Sequence, residues 1–392
     1  MVANIKDKAV IVGAYNTKFS KDSGVSELHL AAQAVKGAIE DAGLKPTDVD
    51  GFATFTMDSN DEIEVARAVG TGDLTFWGRS HYGGGAATGS LHQAVMAVAT
   101  GMAECVAVYR ALNGRSGHRF SDGVSGDIMT ADAIHWGWYM PYGLLTPASW
   151  VAMFNQRWMH LTGVTKDAMF EVAHATREYA VNNPNAFFHG RSFDREEYDN
   201  ARMIADPLQL FDCCQESDGA SCVIVTTPER ARDLKHPGVA VRGVAQAAAA
   251  DQEQMTSFYR EEFAAIPEME IAAKNCYEMS GLTVDDIDAA VIYDAFSPIV
   301  LWQMEAWGFC GFGESGDFVL DGAMRPDGRL PCNTHGGQLS EAYIHGVNGI
   351  VEATRLVRGT SLNQPKKDVN HALVTSGVGI PTGGALLGEL DL

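Results

Sequence analysis

The chain has 392 residues, 46% of them hydrophobic and 20% charged, with 41 glycines; this fits a folded α/β protein with two similar-sized cores and excludes a disordered chain. A formal net charge of -21 repels nucleic acid and anionic membranes, so neither is expected as a partner, and an anionic cofactor would need a local basic patch or one lent by a partner. No apolar run reaches membrane-spanning length, Met1 to Asp7 lacks the layout of a signal peptide, the cysteines are odd in number with no CxxC pair, and no metal-ligand spacing appears. The expectation is a reducing cytoplasm, core thiols and no metal.

Ala9 to Gly13 predicts a short buried strand. Ser26-Glu27-Leu28 opens a helix with Leu30, Ala31, Ala34, Ala38 and Ile39 on one face, stopped by Gly43. Phe52 to Phe55 returns as a strand. The Gly-rich turn Gly83 to Gly89 leads into an apolar helix from about Ser90 to Gly101, followed by a strand at Val106 to Tyr109. This alternation predicts a parallel sheet covered on both faces. From about Asn113 to Pro207 the composition changes, and four of the seven tryptophans fall there. Trp136, Trp138, Met140, Trp150 and Met153 are candidates for an apolar ligand pocket; the competing reading is that they dock the segment onto the sheet. Cys222 to Val225 and Val239 to Val241 then read as strands.

The second half repeats the first. Gly43-Leu44, Asp48, Val49 and Asp50 reappear as Gly281-Leu282, Asp286, Ile287 and Asp288, at a constant offset of 238 residues, each copy between an amphipathic helix and a strand. On this reading residues 1–112 and 208–250 form the N-terminal half, 113–207 an inserted segment, and 251–392 the C-terminal half, with Gly336-Gly337 matching Gly84-Gly85. The stretch Asn333 to Gly346 carries that double glycine and feeds a predicted helix from about Val347 to Val357. A Gly-rich turn before a helix start presents unpaired N–H groups and a positive dipole end, which suits a developing oxyanion. Tyr343 stands at that turn.

Ala87-Thr88-Gly89-Ser90, Asp218-Gly219-Ala220, Tyr293-Asp294-Ala295-Phe296-Ser297 and Asn333 to Gly346 fall in an order and spacing that resemble the thiolase superfamily over essentially the whole chain. The nearest pattern is that of the sterol-carrier-protein-associated thiolases, whose motifs read CATGS, DGAA, HDCF and NPSGGxxSxGHPxGA. The resemblance implies a duplicated five-layer αβαβα thiolase fold, usually dimeric, with a loop domain inserted in the first half. The departures bear on function. The acyl-accepting cysteine of the family falls on Ala86, the GHP histidine on Tyr343 and the first residue of HDCF on Tyr293; the late cysteine falls near Ser376. An alanine methyl cannot form a thioester, and Cys332 and Cys105 are not placed to replace the thiol, so thiolase chemistry is disfavoured.

The paired exchange to tyrosine resembles the aldolase branch, lipid-transfer-protein-like enzymes of bacterial steroid side-chain degradation that work with an OB-fold, acyl-CoA-binding partner. What this implies is retro-aldol cleavage of a 3-hydroxyacyl-CoA, a 17-hydroxysteroid side-chain thioester, to a 17-ketosteroid and propionyl-CoA or acetyl-CoA. Coenzyme A enters as part of the substrate, no separate cofactor is expected, and a homodimer with the OB-fold partner makes a heterotetramer. Such a cleavage requires a base for the hydroxyl proton, donors for the enolate and an acid for its α-carbon. Tyr343 is assigned as base, with its phenol eased by the helix start or emptied through a relay, and Tyr293 as acid; the two roles are exchangeable. Gly336, Gly337 or Gly379 would supply backbone donors, and Asp294, His335, His345 and Ser376 are supporting candidates that also have structural readings. Arg110, Arg115 and Arg119 form a loose basic group that reads as solvated surface or as a phosphate dock. Two other readings compete: a cysteine-dependent thiolase or acyltransferase with an unidentified thiol, and a non-catalytic lipid carrier or scaffold.

Overall fold

Alternate residues along the strands of the first half enter two different cores, the mark of strands covered on both faces. The computed structural model of the protein describes residues 5–81, 83–117, 119, 137–250, 258, 260–264, 266–377 and 382–390. Its strands are β1 (Val10–Asn16), β2 (Gly51–Phe55), β3 (Phe76–Ser80), β4 (Cys105–Asn113), the small pair β5 (Met203–Ala205) and β6 (Leu208–Gln209), then β7 (Asp218–Thr226), β8 (Val239–Ala247), β9 (Ala289–Val291), β10 (His371–Ser376) and β11 (Thr382–Glu389). In β4, Val106 and Val108 join one cluster while Cys105, Ala107 and Tyr109 join the other; in β7, Val223 and Val225 alternate with Cys222 and Ile224 in the same way.

Nine strands run in the order β3-β2-β4-β7-β1-β8-β11-β10-β9. The expected all-parallel sheet is instead mixed. β2 is parallel to β3 and β4, and β9 to β10, but β7 runs antiparallel to both β1 and β4, and β11 antiparallel to β8 and β10. The return strands β7 and β11 are what the helix–strand alternation of the leading segments does not announce. The two halves of the sheet meet where β1 and β8 pair over only two residues each. Because β8 bonds along its length to β11, the pairing places it in the second half, although the sequence reading put it in the first.

Helix α1 (Glu27–Ala42) is capped by Ser26 Oγ, which accepts from the His29 N–H at 3.2 Å, and ends at Gly43 with φ +74°. With α2 (Glu62–Val69) it lies on the outer face of the first half. Helix α3 (Ala86–Thr100) packs on β2 and β4 and also on β8, β10 and β11, and the helix Val347–Val357 packs on β9 and β10 and also on β1 and β7. These two helices form a middle layer between the strands of both halves. The helix Pro267–Ser280 covers β8 and β11 from the far side. Helix, sheet, helix, sheet, helix gives five layers. A helix shared by two sheets must be apolar nearly all round, and every residue of Val347–Val357 except Arg355 is buried.

The duplication has a physical basis. Asp48 Oδ2 accepts from the Lys45 N–H and Asp286 Oδ2 from the Thr283 N–H, both at 2.7 Å. Asp50 accepts from the Glu104 and Cys105 N–H groups at 3.0 and 2.8 Å, and Asp288 from those of Asn370 and His371 at 2.9 and 3.0 Å. Each aspartate thus ties its helix–strand turn to the neighbouring strand. The match of Gly84-Gly85 to Gly336-Gly337 does not hold: the residues before the two middle helices are Gly85 and Gly346, and Gly336 begins a separate π-turn, Gly337–Glu341. Helix α3 also starts four residues before the expected Ser90, since Ser376 Oγ, from the other half, accepts from the Thr88 N–H at 3.2 Å and supplies the cap. Asp218 holds the entry to the segment after β4, accepting from the N–H groups of Ser23, Arg115 and Ser116 at 2.9–3.0 Å. No described helix is long and apolar enough to cross a membrane, and no cluster suited to a metal occurs among the described residues.

Asp50→Ala and Asp288→Ala are each expected to cost about 1–2 kcal/mol in urea unfolding. The two losses should add within about 0.5 kcal/mol in the double variant, because the clasps share no partner; a double variant no less stable than either single one would show that they are not independent.

Candidate active site

Tyr293 follows β9 with its backbone held by side chains rather than by a neighbouring strand. Its N–H donates to Thr375 Oγ1 at 3.0 Å, its carbonyl accepts from Gln303 Nε2 at 2.7 Å, and the Thr375 hydroxyl donates to Gln303 Oε1 at 2.6 Å, closing a ring of bonds. One residue earlier, Asn333 brackets Ile292 through both amide atoms, at 2.8 and 2.9 Å. Tyr343 lies on the loop that enters the helix Val347–Val357, where its backbone runs beside Glu216 and Ser217. The hydroxyls of Tyr293 and Tyr343 are 3.0 Å apart. Tyr293 is buried and Tyr343 half-buried. Two of the three described non-glycine residues with positive φ, Asn333 (+56°) and His345 (+51°), sit on this loop system, a concentration of backbone strain that marks functional sites more often than ordinary loops.

The other assigned positions separate into those near the tyrosines and those committed elsewhere. Ala86 is fully buried at the start of α3. Ser376 Oγ donates to the Gly85 carbonyl at 2.8 Å and also bonds the Thr88 hydroxyl, so it joins the end of β10 to the turn of the first half. Gly336 and Gly337 do not present donors as expected. The Gly336 N–H donates to the Asn333 carbonyl at 2.8 Å, and the N–H groups of Gln338 and Leu339 donate to the Asp294 carboxyl at 2.7 and 3.3 Å. A methyl on Gly337 would overlap that carboxyl. The anion this turn holds is therefore the side chain of Asp294, which is its structural role. Burial nonetheless raises Asp294 to about 7. Gly379 and Trp136 lie outside the described residues.

His335 is buried with its Nε2 3.8 Å from Glu341, and burial lowers it to about 3, so it is neutral. His345 Nδ1 accepts from Arg110 Nε at 3.1 Å, and its ring meets the Tyr343 ring edge-on with centroids 4.8 Å apart. Of the expected pocket wall, the described residues differ in exposure. Trp150 is buried with Nε1 on the Leu144 carbonyl, whereas Trp138 and Met153 are exposed and Met140 is half-buried in a short turn. The aromatic packing in that region centres instead on Phe154, stacked on Phe258 at 5.1 Å, with Tyr139 and Phe263 edge-on. The three arginines do not form one group either: Arg110 is buried on Asp58, Arg119 pairs with Glu216 at 2.6 Å, and the Arg115 backbone serves Asp218.

Sequence reasoning missed Cys214. It lies beside both phenols, with its N–H on the Ala295 carbonyl at 2.9 Å, and nothing in the local sequence singles it out. Burial, then Cys213, Glu216 and Asp294, push its thiol well above the ordinary range, so it is a thiol and not a thiolate. Burial likewise raises Tyr343, with Cys214 adding to it, and raises Tyr293 well above the usual phenol range, with Tyr343 adding to it. The expectation that the helix start eases the ionisation of Tyr343 is therefore overturned: loss of solvent outweighs the dipole. Both phenols are protonated at neutral pH, and their contact suits proton transfer between them.

Residues 247–385 match the family described as thiolase C-terminal domain-like. The chain is 54% identical over 382 residues to the steroid side-chain-cleaving aldolase of Thermomonospora curvata, covering 97% of each chain. It is 52% identical over 386 residues to the 17-hydroxy-3-oxo-4-pregnene-20-carboxyl-CoA lyase of Mycobacterium tuberculosis, covering 98% of this chain and 100% of that one. A solved structure described as the Ltp2-ChsH2(DUF35) aldolase superposes with a TM-score of 0.95 at 52% identity, covering 100% of both chains. With five layers and this degree of likeness, the chain belongs to the thiolase superfamily, in its steroid side-chain-cleaving aldolase branch, and is a carbon–carbon lyase.

Proposed function

We propose that the chain cleaves the CoA thioester of a 17-hydroxysteroid side chain by retro-aldol reaction, releasing a 17-ketosteroid and propionyl-CoA, or acetyl-CoA from a shorter chain. The observation that carries this reading is the 3.0 Å contact between the Tyr293 and Tyr343 hydroxyls, with Gly84 of the turn before α3 against the Tyr293 hydroxyl and a buried alanine, Ala86, where the resemblance puts the nucleophile. In one concerted relay Tyr343 takes the proton of the substrate hydroxyl as it passes its own to Tyr293, and Tyr293 in the same motion releases the proton it already holds toward the α-carbon. The carbonyl forms as the carbon–carbon bond breaks, and the bonding pair leaves on the thioester enolate. Tyr293 protonates the α-carbon of that enolate. Each tyrosine gains one proton and loses one, so neither needs to be a free phenolate in the resting enzyme. No covalent intermediate is formed, in keeping with Ala86 and with a Cys214 thiol held protonated by burial.

Coenzyme A enters as part of the substrate. Its phosphates would need cationic partners, yet Arg110 and Arg119 are paired with Asp58 and Glu216. This favours an OB-fold, acyl-CoA-binding partner that supplies phosphate contacts, in a heterotetramer built on a homodimer and working in the cytoplasm.

Tyr343→Phe and Tyr293→Phe are each expected to lower kcat by about 10²–10⁴-fold with unchanged far-UV circular dichroism, measured by release of propionyl-CoA from the 17-hydroxy thioester in the presence of the partner. A lipid carrier would instead bind steroid without turnover and be indifferent to either change. Cys214→Ala should keep activity within about threefold of the parent, and iodoacetamide should leave turnover intact. Loss of turnover on either treatment would favour the cysteine-dependent thiolase or acyltransferase reading.

A further inference from the structure

Arg110, on β4, is 2% exposed, and its carboxylate partner Asp58 is 2% exposed as well. Arg110 Nη1 donates to Asp58 Oδ2 at 2.9 Å and to the Ala111 carbonyl at 2.6 Å. Asp58 is fixed in turn: Oδ2 accepts from the Ala111 N–H at 3.2 Å, and Oδ1 accepts from the Asn60 N–H and side chain at 2.9 and 2.7 Å. Arg79, on the edge strand β3, holds the same turn by donating to the Asp58 and Asn60 carbonyls at 3.2 and 2.7 Å. A buried ion pair is a poor way to gain stability, because desolvation of both charges offsets their attraction. Its presence next to the tyrosines points to another role.

A further donor, on Nε, gives that role. Arg110 Nε points at His345 Nδ1, 3.1 Å away. A guanidinium only donates, so Nδ1 must be the unprotonated nitrogen and the proton must sit on Nε2. Burial, then the charge of Arg110, lowers His345 well below the usual imidazole range and keeps the ring neutral. His345 therefore cannot serve as a base through Nδ1, and its ring edge rests on Tyr343.

We propose that Arg110 is a positioning residue for Tyr343: it fixes His345 as the Nε2–H tautomer against the Tyr343 ring and sets a positive charge behind the phenol that receives the substrate's proton. The groups facing that phenol are Tyr293 from the segment after β9, Cys214 and Glu216 from the segment before β7, and His345 and Arg110; Asp294 acts on Tyr293 rather than on Tyr343. Cys214 and Glu216 raise the phenol, Glu216 being paired with Arg119, while the Tyr293 bond and Arg110 lower it. Arg110 is thus the cation that opposes the acidic side of the site. Transfer of a proton onto Tyr343 as it releases its own passes through phenolate character, which a fixed cation favours.

This inference rests on Tyr343 as the proton acceptor, and its test needs no turnover. Nitrogen-15 spectra of the full chain, with His345 assigned by comparison with His345→Gln, are expected to show Nε2 protonated and Nδ1 bare. A trifluorinated tyrosine at position 343, far more acidic than tyrosine, should titrate about one unit higher in Arg110→Gln than in the parent, a tenfold fall in phenolate fraction at a given pH. Arg110→Lys, which keeps the charge without the fork, should return the titration toward the parent value while mixing the His345 tautomers. A parent spectrum with the proton on Nδ1, or a fluorotyrosine midpoint that does not move in Arg110→Gln, would overturn the proposal even if Tyr343→Phe is inactive. If Arg110→Gln does not fold, the parent spectrum and Arg110→Lys still decide it. An active Tyr343→Phe would instead remove the functional reading on which the proposal rests.

Discussion

The Tyr293 ring occupies space that exists only because residues 84 and 346 are glycine. A methyl on Gly84 would overlap the Tyr293 hydroxyl, and one on Gly346 would press on its ring at 3.2 Å and on the Ala87 methyl at 3.4 Å. Gly346 is further committed by a φ of +88°, which a side chain rarely tolerates. One glycine comes from the turn before α3 and the other from the turn before the helix Val347–Val357, so each half of the duplicated fold withdraws its backbone from the same ring. The middle layer makes this possible by bringing the two helix starts together, and Ser376, at the end of β10, ties the start of α3 to the second half by bonding the Gly85 carbonyl and the Thr88 N–H. The distance between the two phenols is thus set by the seam of the whole molecule.

Much of this was legible in the sequence, for identifiable reasons. Helix α1 carried its own start and stop in Ser26 and Gly43, and the repeated aspartates betrayed the duplication because each is needed to clasp a turn of the same shape. The tyrosine pair was found by comparison with a motif, through positions that a relative fills with histidine. What failed was local reasoning about backbone donors. Gly336-Gly337 looks like an anion-binding turn and is one, but its anion is Asp294, 44 and 45 residues from the donating N–H groups of Gln338 and Leu339 and adjacent only after folding. The Trp/Met segment failed similarly, since composition does not say which aromatic faces inward: Trp150 went to the core and Trp138 to solvent. Cys214 and Asp58 carry no local pattern, Arg110 stands out only as part of a loose basic group, and tertiary packing alone brings them to the tyrosines.

The electrostatics of the site follow one rule. Burial raises Tyr293, Tyr343, Cys214 and Asp294 and lowers His335 and His345, so every one of these groups is pushed toward its neutral form. Such surroundings oppose a resting thiolate–imidazolium pair, which must hold two charges. They suit a reaction in which a proton leaves the substrate hydroxyl, passes through two phenols and returns to the substrate carbon, because no group in the enzyme ends with a different charge from the one it began with. Ala86, Tyr293 and Tyr343 fit those surroundings: an alanine has nothing to ionise, and a phenol hydroxyl can both give and accept a proton. In the proposed relay enolate charge need develop only in part, because the proton that would quench it is held on the neighbouring phenol as the carbon–carbon bond breaks.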